Sequence, residues 1–512
     1  MKQYKLLNNV VGGVVFLISL VTYLLTIEPT ASFWDCGEFI STAYKLEIGH
    51  PPGAPFFMLM ARFFTLFASD VHEVAKMVNI FSAFMSALTI LFLFWTITHL
   101  ARRLVIKAES DFTLGNTIAI LGAGTVGALA YTFSDTFWFS AVEAEVYASS
   151  SMFTAIVFWA MLKWEDVADR PFANRWLVLI AYLMGLSVGV HLLNLLSIPV
   201  LVLVYYFRKF KFSWKGVGIS FAVSVVLLAV ILYGIIPGFV TVAGWFELLF
   251  VNVFGFSFNT GVIIYSIALI SCLVGGIYTS YSEKFEDSKL PTILFIASVA
   301  LLGIPFFGSH IVLGIVILVA MAGYFFFTEK GRNTQMSLLN TVLTCLTVIL
   351  LGYSSYATLV IRSNANPPMD QNSPDDVFTL KSYLNREQYG DTPLLYGESF
   401  ASEFKYDRSG SVAKEYGEDL WAKKIKNNEN EPDEYYAYDK KTKYIYQSQF
   451  LMFFPRMYSR QGSHISAYKS WSNFTGQKIK ADDGKRVEAP TFGDNMTYFL
   501  IYQVGFMYWR YF

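Results

Sequence analysis

The sequence predicts an α-helical polytopic membrane protein, a bundle of about eleven spanning helices followed by a mixed α/β portion outside the membrane. Composition is the first reason: 54% of the residues are hydrophobic and 15% are charged, which is too apolar for a soluble protein of 512 residues. The second is a series of apolar runs close to the roughly 20 residues that a spanning helix needs. The third is the placement of lysine and arginine on alternate loops.

The first apolar run, Val10 to Ile27, follows Lys2 and Lys5 as a signal sequence would. It is long enough to span the membrane, and no small-x-small cleavage site follows it, so we interpret it as an uncleaved anchor that starts in the cytoplasm. The same reasoning along the chain predicts spans at 10–27, 75–98, 114–133, 146–162, 176–190, 192–207, 216–236, 260–279, 290–306, 311–327 and 337–361.

The basic residues assign each connecting loop to one side of the membrane. Cytoplasmic loops carry an excess of cations, and here the cations fall on the side of the amino terminus. They are Arg102, Arg103, Lys107, Lys163, Arg170, Arg175, Arg208, Lys209, Lys211, Lys215, Lys284, Lys289, Lys330 and Arg332. Because the number of predicted spans is odd, the carboxyl-terminal portion is expected outside.

This sidedness places several polar segments on the outer surface. The stretch 176–207 has cytoplasmic cations at both ends, so it must cross and return, with an apex that brings His191 and Asn194 outside. The other segments predicted on that side are Ser134–Asp135, Glu143–Tyr147 and Gly308–His310. With the first outer loop, these clusters are expected to converge on one face.

The first outer loop, 28–74, is the predicted centre of the site. Ser32 is expected to cap a helix whose first turn contains Asp35, so that Asp35 and Glu38 share a helix face. The glycines and prolines of 49–53 are expected to end that helix and to hold His50 at a rigid corner. Residues 54–67 are apolar but too short to span, which favours a helix in the membrane interface.

The composition changes after Ile361, and we place the domain boundary there, between a transmembrane domain 1–361 and an extracytoplasmic domain 362–512. In the second domain, 393–396 is typical of a strand and 435–446 of a hairpin that turns at 439–442. The final run, 496–512, is aromatic and has no polar tail, so we expect that the natural chain continues or was cut here.

Ionisable side chains beside the bilayer are costly, and those predicted on the outer face are therefore functional candidates. They are Asp35, Glu38, His50, Glu143, Glu145, His191, Asn194, His310 and Arg362. A desolvated carboxylate has a raised pKa and becomes a better base, while arginine and histidine neutralise a phosphate. Such a set suits transfer of a group from a membrane-embedded lipid phosphate to a hydroxyl that arrives from outside.

Simpler interpretations stay open for single residues. Glu143 could cap the fourth span, His191 could be a satisfied core histidine, and Arg362 could be a snorkelling anchor at the end of the last span. His310 at a tight apex is expected to be structural. Asp35 and Glu38 could hold Mg or Mn, so a divalent cation stays open, but a lone acid pair is a weak site and we assign no metal ligand.

Other classes of function lack support in the sequence. Lysine plus arginine and aspartate plus glutamate both number 39, so nothing indicates a nucleic-acid partner. The three cysteines, Cys36, Cys272 and Cys345, have no metal-like spacing. The sequence contains no phosphate-binding glycine loop followed by lysine, no HExxH and no nucleophile elbow.

Four motifs resemble the DUF2723 family, which includes the TMEM260-type protein O-mannosyltransferases. They are Trp34-Asp-Cys-Gly-Glu-Phe39, Gly49-His-Pro-Pro-Gly53, Ala144-Glu-Val-Tyr147 and Asn366-Pro-Pro368. The resemblance covers the membrane portion and the start of the outer portion, and is greatest to bacterial members from Bacteroidetes. It implies a GT-C glycosyltransferase fold in a bacterial inner membrane, a polyprenyl-phosphate sugar donor, and an acid of the first outer loop as base.

The resulting hypothesis is an inverting transfer of a sugar from polyprenyl phosphate to Ser or Thr hydroxyls of exported proteins, with Asp35 as general base. Glu38 is expected to orient the acceptor or a neighbouring cation. The phosphate would be held by His50, His191, Asn194 and Arg362, and sugar hydroxyls by Glu145. The rivals are a lipid-linked sugar flippase, a non-catalytic envelope scaffold, and a transferase that acts on a lipid or glycan.

Overall fold

The computed structural model describes residues 2–390 and 392–511. The chain forms two compact units, residues 1–386 and residues 387–512. The first unit contains all the apolar runs predicted as spans, together with the proline-broken segment after Ile361. The second unit contains strands and helical segments.

The first unit is built almost entirely from helices. In chain order they are α1 (Lys2–Leu25), α2 (Cys36–Lys45), α3 (Pro55–Thr65), α4 (Val71–Val105), α5 (Leu114–Thr132), α6 (Asp135–Ala141), α7 (Val146–Val167), α8 (Asn174–Val188), α9 (Leu192–Lys209), α10 (Trp214–Val253), α11 (Thr260–Tyr281), α12 (Leu290–Leu301), α13 (Ile311–Phe327), α14 (Glu329–Arg332), α15 (Met336–Ser363) and α16 (Val377–Leu384).

Every predicted span coincides with a helix, but the helices differ in length. Within the described residues, eight are long and apolar enough to cross a membrane: α1, α4, α5, α7, α9, α10, α11 and α15. The predicted spans 176–190, 290–306 and 311–327 are helices of 15, 12 and 17 residues, which are shorter. The helical membrane class is therefore confirmed, and eight spans are supported where about eleven were predicted.

The helix α10 is 40 residues long and runs well beyond the predicted span 216–236. Pro237 directly follows the end of the predicted span, and proline inside a helix lacks an amide and clashes with the preceding turn. The structure instead has a π-helical stretch, Val230–Ile235, directly before it. The wider π turn lets the helix continue past the proline.

The helices α8 and α15 approach each other very closely. A Cβ atom on Gly185 would collide with the carbonyl oxygen of Ile349, and one on Gly352 would collide with the backbone of Leu186. Glycine at both positions therefore allows the two backbones to touch. Beyond this contact, the hydroxyl of Tyr356 donates to the carbonyl of Val188 at 3.2 Å, which secures the end of α8 where His191 follows.

In its described part, the second unit has three two-stranded antiparallel sheets: β1 (Tyr396–Gly397) with β4 (Met452–Phe453), β2 (Lys414–Lys423) with β3 (Tyr435–Tyr444), and β5 (Gln477–Lys480) with β6 (Arg486–Ala489). The hairpin predicted within 435–446 is wrong. Residues 439–442 lie inside β3, where Asp439 pairs with Leu420 and Thr442 with Tyr416. The segment Asp-Lys-Lys-Thr has the composition of a turn. Its own sequence therefore does not show that it pairs with β2.

The remaining helices of this unit are α17 (Gly462–Ser472) and α18 (Phe492–Thr497), the latter continued by a π-helical stretch, Tyr498–Tyr508, and a last turn, Trp509–Tyr511. The aromatic run at the end of the sequence is thus helical. Stacked rings at 4.9 Å, Tyr498 with Tyr502, lie along it. The side chain of Tyr511 and residue 512 lie outside the described part.

Candidate active site

A cleft of about 260 Å³ lies in the first unit. It is lined by the starts of α2 and α7, by the loop 50–54 and by the connection between α8 and α9. Its ionisable lining residues are Asp35 at the start of α2, His50, Glu145 at the start of α7, His191 before α9, and Arg386. Its apolar walls include Phe39, Val188 and Val190. The cleft is concave, partly apolar and lined by a few convergent charged groups, as small-molecule sites usually are.

Asp35 sits at the mouth of this cleft. It occupies the N-cap position of α2, yet its side chain makes no capping hydrogen bond and is exposed. The predicted cap at Ser32 is therefore wrong, because the helix begins at Cys36. The predicted end at 49–53 is also wrong: α2 ends at Lys45, where Leu46 turns the chain in the left-handed conformation. An N-cap carboxylate with no capping bond can accept a proton from an incoming group.

Glu38 and His50 form a hydrogen-bonded pair one turn along α2. The Glu38 carboxylate accepts from the His50 ring Nδ1 at 2.8 Å and from the His50 backbone amide at 2.6 Å. Burial disfavours the charged form of Glu38, but the bonds from His50 outweigh it and lower the pKa of Glu38. The same hydrogen bond raises the pKa of His50. Glu38 thus orients the His50 ring and favours its protonated form.

Gly49 makes this pair possible. A Cβ atom at position 49 would lie 2.5 Å from the Glu38 carboxylate oxygen, so any larger residue would force the acid away from His50. Residue 371 closes the other side, since the Gln371 amide donates to the second Glu38 oxygen at 3.3 Å. Both oxygens of Glu38 are therefore used within the protein.

Glu145 is the buried acid of the cleft. It occupies the N-cap position of α7 and is 6% exposed. Burial, reinforced by the charges of Asp35 and Glu143, raises the pKa of Glu145 to about 7. Near neutral pH this carboxyl is thus about half protonated, and it can donate a hydrogen bond to an anionic or hydroxylated ligand.

Glu143 is equally buried, at 5% exposure, but it does not line the cleft. Burial raises its pKa as well. The alternative that Glu143 caps the fourth span is wrong, because Glu145 holds that position. Glu143 is not among the residues that line the cleft, but its charge contributes to the raised pKa of Glu145.

His191 lines the cleft and Asn194 does not. The His191 Nδ1 accepts the Leu193 amide at 3.1 Å, which leaves Nε2 as the nitrogen that can carry a proton toward a ligand. Burial and the nearby Arg386 charge lower the pKa of His191. Asn194 is fully buried and donates to Ser187 Oγ at 2.9 Å, so it secures the junction of α8 and α9.

Arg362 is held outside the cleft. Its guanidinium donates to the carbonyl of Leu46 at 2.7 Å and to that of Lys45 at 3.1 Å, at the carboxyl end of α2. The cation that does line the cleft is Arg386, which the sequence analysis missed. It follows α16 in an irregular segment with no motif, and no sequence signal marks it. His310, before α13, is exposed and also lies outside the cleft.

No group of three or more His, Cys, Asp or Glu side chains is placed to hold a metal ion within residues 2–390 and 392–511. The acids of the cleft instead face histidine and arginine. This balance of one exposed carboxylate, one buried carboxyl and three basic side chains suits an anionic ligand better than a bare cation.

The amino-terminal half of the chain is similar to known transferases. A family model described as the protein O-mannosyl-transferase TMEM260 N-terminal domain matches residues 35–214, and a family of unknown function, DUF8416, matches residues 390–500. The chain is 24% identical over 200 residues to protein O-mannosyl-transferase tmem260 of Dictyostelium discoideum, a match covering 38% of this chain and 22% of that protein.

A second relative is protein O-mannosyl-transferase TMEM260 of Mus musculus, 25% identical over 173 residues, which is 34% of this chain and 22% of that protein. The chain therefore matches about a fifth of the length of these curated relatives. The region matched by the TMEM260 domain begins at Asp35 and contains every cleft acid and both cleft histidines.

Proposed function

We propose that this protein is a membrane glycosyltransferase that moves a sugar from a polyprenyl-phosphate donor to Ser or Thr hydroxyls of exported proteins. The observation that carries the proposal is the lining of the cleft. It combines the Asp35 carboxylate, which makes no capping hydrogen bond, with the basic side chains of His50, His191 and Arg386. This is the set that proton removal from a hydroxyl and stabilisation of a leaving phosphate require.

The comparisons support the choice of substrate class. Both curated relatives are named as protein O-mannosyl-transferases. The TMEM260 N-terminal domain model matches residues 35–214, which include Asp35, His50, Glu145 and His191 of the cleft. From them we infer transfer to protein, and we add the lipid-phosphate donor because eight helices within the described residues are long and apolar enough to cross a membrane. A GT-C fold in a bacterial inner membrane, with the amino terminus cytoplasmic and the second unit periplasmic, completes the proposal.

The proposed chemistry is one inverting displacement. The acceptor hydroxyl oxygen forms a bond to the sugar C1 while the bond between C1 and the phosphate oxygen breaks, and Asp35 takes the hydroxyl proton. The phosphate leaves with the bonding electron pair, and its charge is met by protonated His50 and by Arg386. Glu38 acts as a positioning residue, because it fixes the ring of His50 and favours its charged form.

The remaining site residues have supporting roles. His191 presents Nε2 to the phosphate or sugar, and Glu145 in its neutral form donates a hydrogen bond to a sugar hydroxyl. The charge of Glu143 contributes, after burial and the charge of Asp35, to the raised pKa of Glu145. Asn194 and Arg362, which we expected at the phosphate, instead support the frame of the cleft.

The proposal is tested by mass spectrometry of exported proteins from cells that lack this protein and are complemented with variants. Wild type should restore a hexose-type mass addition on Ser or Thr peptides, and Asp35→Asn should not. Asp135→Asn is the matched control, since Asp135 is an exposed acid at the start of α6 and lies outside the cleft. Unchanged Ser and Thr peptides in the deletion strain would refute the proposal.

A further inference from the structure

A second, larger cavity lies in the first unit, of about 700 Å³. It is formed by the beginning of α1, the end of α4, the end of α7 and the start of α8. Its lining includes the charged side chains of Lys5, Arg102, Lys163, Asp166 and Arg170, together with His99. None of them lines the first cleft.

The two cavities lie at opposite ends of α7. Glu145 and Tyr147 reach the first cleft from the start of this helix, whereas Lys163 and Asp166 line the second cavity near its end. The 18 residues from Glu145 to Lys163 correspond to about 27 Å of helix, close to the thickness of a bilayer core. The second cavity therefore opens at the other membrane surface from the proposed reaction.

The charge of this cavity is strongly positive. Lys5, Arg102, Lys163 and Arg170 line it, against Asp166 as the one acid. Asp166 is already paired, with Arg102 at 3.3 Å and with Arg103 at 3.1 Å. Within the described residues, Lys5, Lys163 and Arg170 form no ion pair, so these three cations remain available to an anion.

A buried polar group in the wall also lacks a partner. His99 is 8% exposed, and its Nε2 has no hydrogen-bond partner within the described residues. The nearest carboxylate oxygens, of Glu165 and Asp166, lie 3.8 and 3.7 Å from its ring nitrogens, beyond hydrogen-bonding distance. A buried polar group left in this way is costly unless a ligand or water completes it.

The aromatic lining indicates what else the ligand carries. Trp95, Trp159 and Trp176 form one wall, with Trp95 and Trp159 centroids 5.7 Å apart and Lys163 Nζ 5.2 Å from the Trp159 ring. Indoles suit the boundary between headgroups and acyl chains. A purely soluble anion would use the cations but not this apolar wall.

We propose that this cavity is a binding site for the phosphate group of an anionic membrane lipid, taken from the leaflet opposite to the proposed active site. The cations Lys5, Lys163 and Arg170 neutralise the phosphate, and His99 donates a hydrogen bond to it. The tryptophan wall contacts the start of the acyl chains. The inference stands apart from the proposed transferase activity, because it uses none of the cleft residues.

The test is native mass spectrometry of the full chain in detergent, with dioleoyl phosphatidic acid and dioleoyl phosphatidylcholine as matched probes. Phosphatidic acid should bind at least about tenfold more tightly, as expected when charged hydrogen bonds are gained. Lys5→Gln with Lys163→Gln should remove most of this preference, and Lys163→Arg should keep it. Arg175→Gln is the control, since Arg175 is an exposed cation beside the cavity but outside its lining.

Two results would overturn the proposal. One is equal binding of the two lipids to the wild type, a measurement that needs no variant to fold. The other is an equal loss of preference in the Arg175→Gln control, which would indicate non-specific attraction by surface charge. Added inorganic phosphate distinguishes the source of the ligand: displacement of the lipid by submillimolar phosphate would assign the same cations to a free phosphate.

Discussion

At the scale of single residues, the cleft separates acids of the same chemical type into different protonation states. Glu38 accepts two hydrogen bonds from His50, which lower its pKa despite burial. Glu145 is buried without such a cationic partner, and its pKa rises to about 7. Distinct environments for neighbouring carboxyls are a common feature of sites that use one acid as a base and another as a proton donor.

The raised pKa of Glu145 predicts a pH dependence of donor binding. A carboxyl with a raised pKa is neutral below that value and gains its charge above it, so a negative charge appears in the cleft as the pH rises through about 7. That charge repels the donor phosphate. We therefore expect the KM for the donor to rise about tenfold between pH 6 and pH 8 in membrane transfer assays.

Glu145→Gln separates this effect from the titration of His50. The glutamine stays neutral, so the KM of this variant should vary much less over the same range. If the variant kept the full pH dependence of the wild type, Glu145 would not be the group responsible, and loss of the proton from His50 would be the remaining explanation.

At the scale of elements, the geometry of α2 and its following loop depends on residues more than 300 positions away. Arg362 holds the last carbonyls of α2, the amide of Ile48 donates to the carbonyl of Met369 at 2.9 Å, and the Tyr383 hydroxyl donates to Gly49 at 2.7 Å. These distant contacts explain why local turn signals misplaced the carboxyl end of α2. They also explain why Arg362, which looked like a phosphate ligand, is a helix anchor.

The anchor predicts how an Arg362→Ala variant differs from a variant of a ligand-binding residue. Loss of the guanidinium leaves two carbonyls of α2 without their donor, so the free energy of unfolding in detergent should fall by about 1–2 kcal/mol. The donor KM should change little at permissive temperature. Arg332→Ala, which removes the exposed arginine that ends α14, should do neither. A large rise in donor KM without loss of stability would return Arg362 to the phosphate site.

At the scale of the whole molecule, the alternation of apolar runs and basic loops predicted the helical class, and it led us to expect nine polar residues on one face, Asp35, His50, Glu145 and His191 among them. The structure places these four in one cleft. Arg386 escaped prediction because it lies in an irregular segment with neither periodicity nor motif. The burial of Asn194 and the β2–β3 pairing depend on tertiary contacts that a single sequence does not display.

The predicted sidedness is tested by cysteine labelling in intact cells. Ser110→Cys, in the loop between α4 and α5, should react with an impermeant maleimide only after permeabilisation, whereas Ser411→Cys in the second unit should react directly. Both positions are exposed. The wild type serves as background, because Cys36 is buried and Cys272 and Cys345 lie within α11 and α15. Labelling of both positions from one side would refute the prediction of an odd number of spans.

The central claim is that Asp35 is the base of a sugar transfer in this cleft. Its most direct test is the rate of sugar transfer from a labelled polyprenyl-phosphate donor to an acceptor peptide, in membranes with equal amounts of wild type, Asp35→Asn and Asp135→Asn. We predict that Asp35→Asn lowers kcat by about a hundredfold to ten-thousandfold, with the control unchanged. Full transfer by Asp35→Asn would contradict the account.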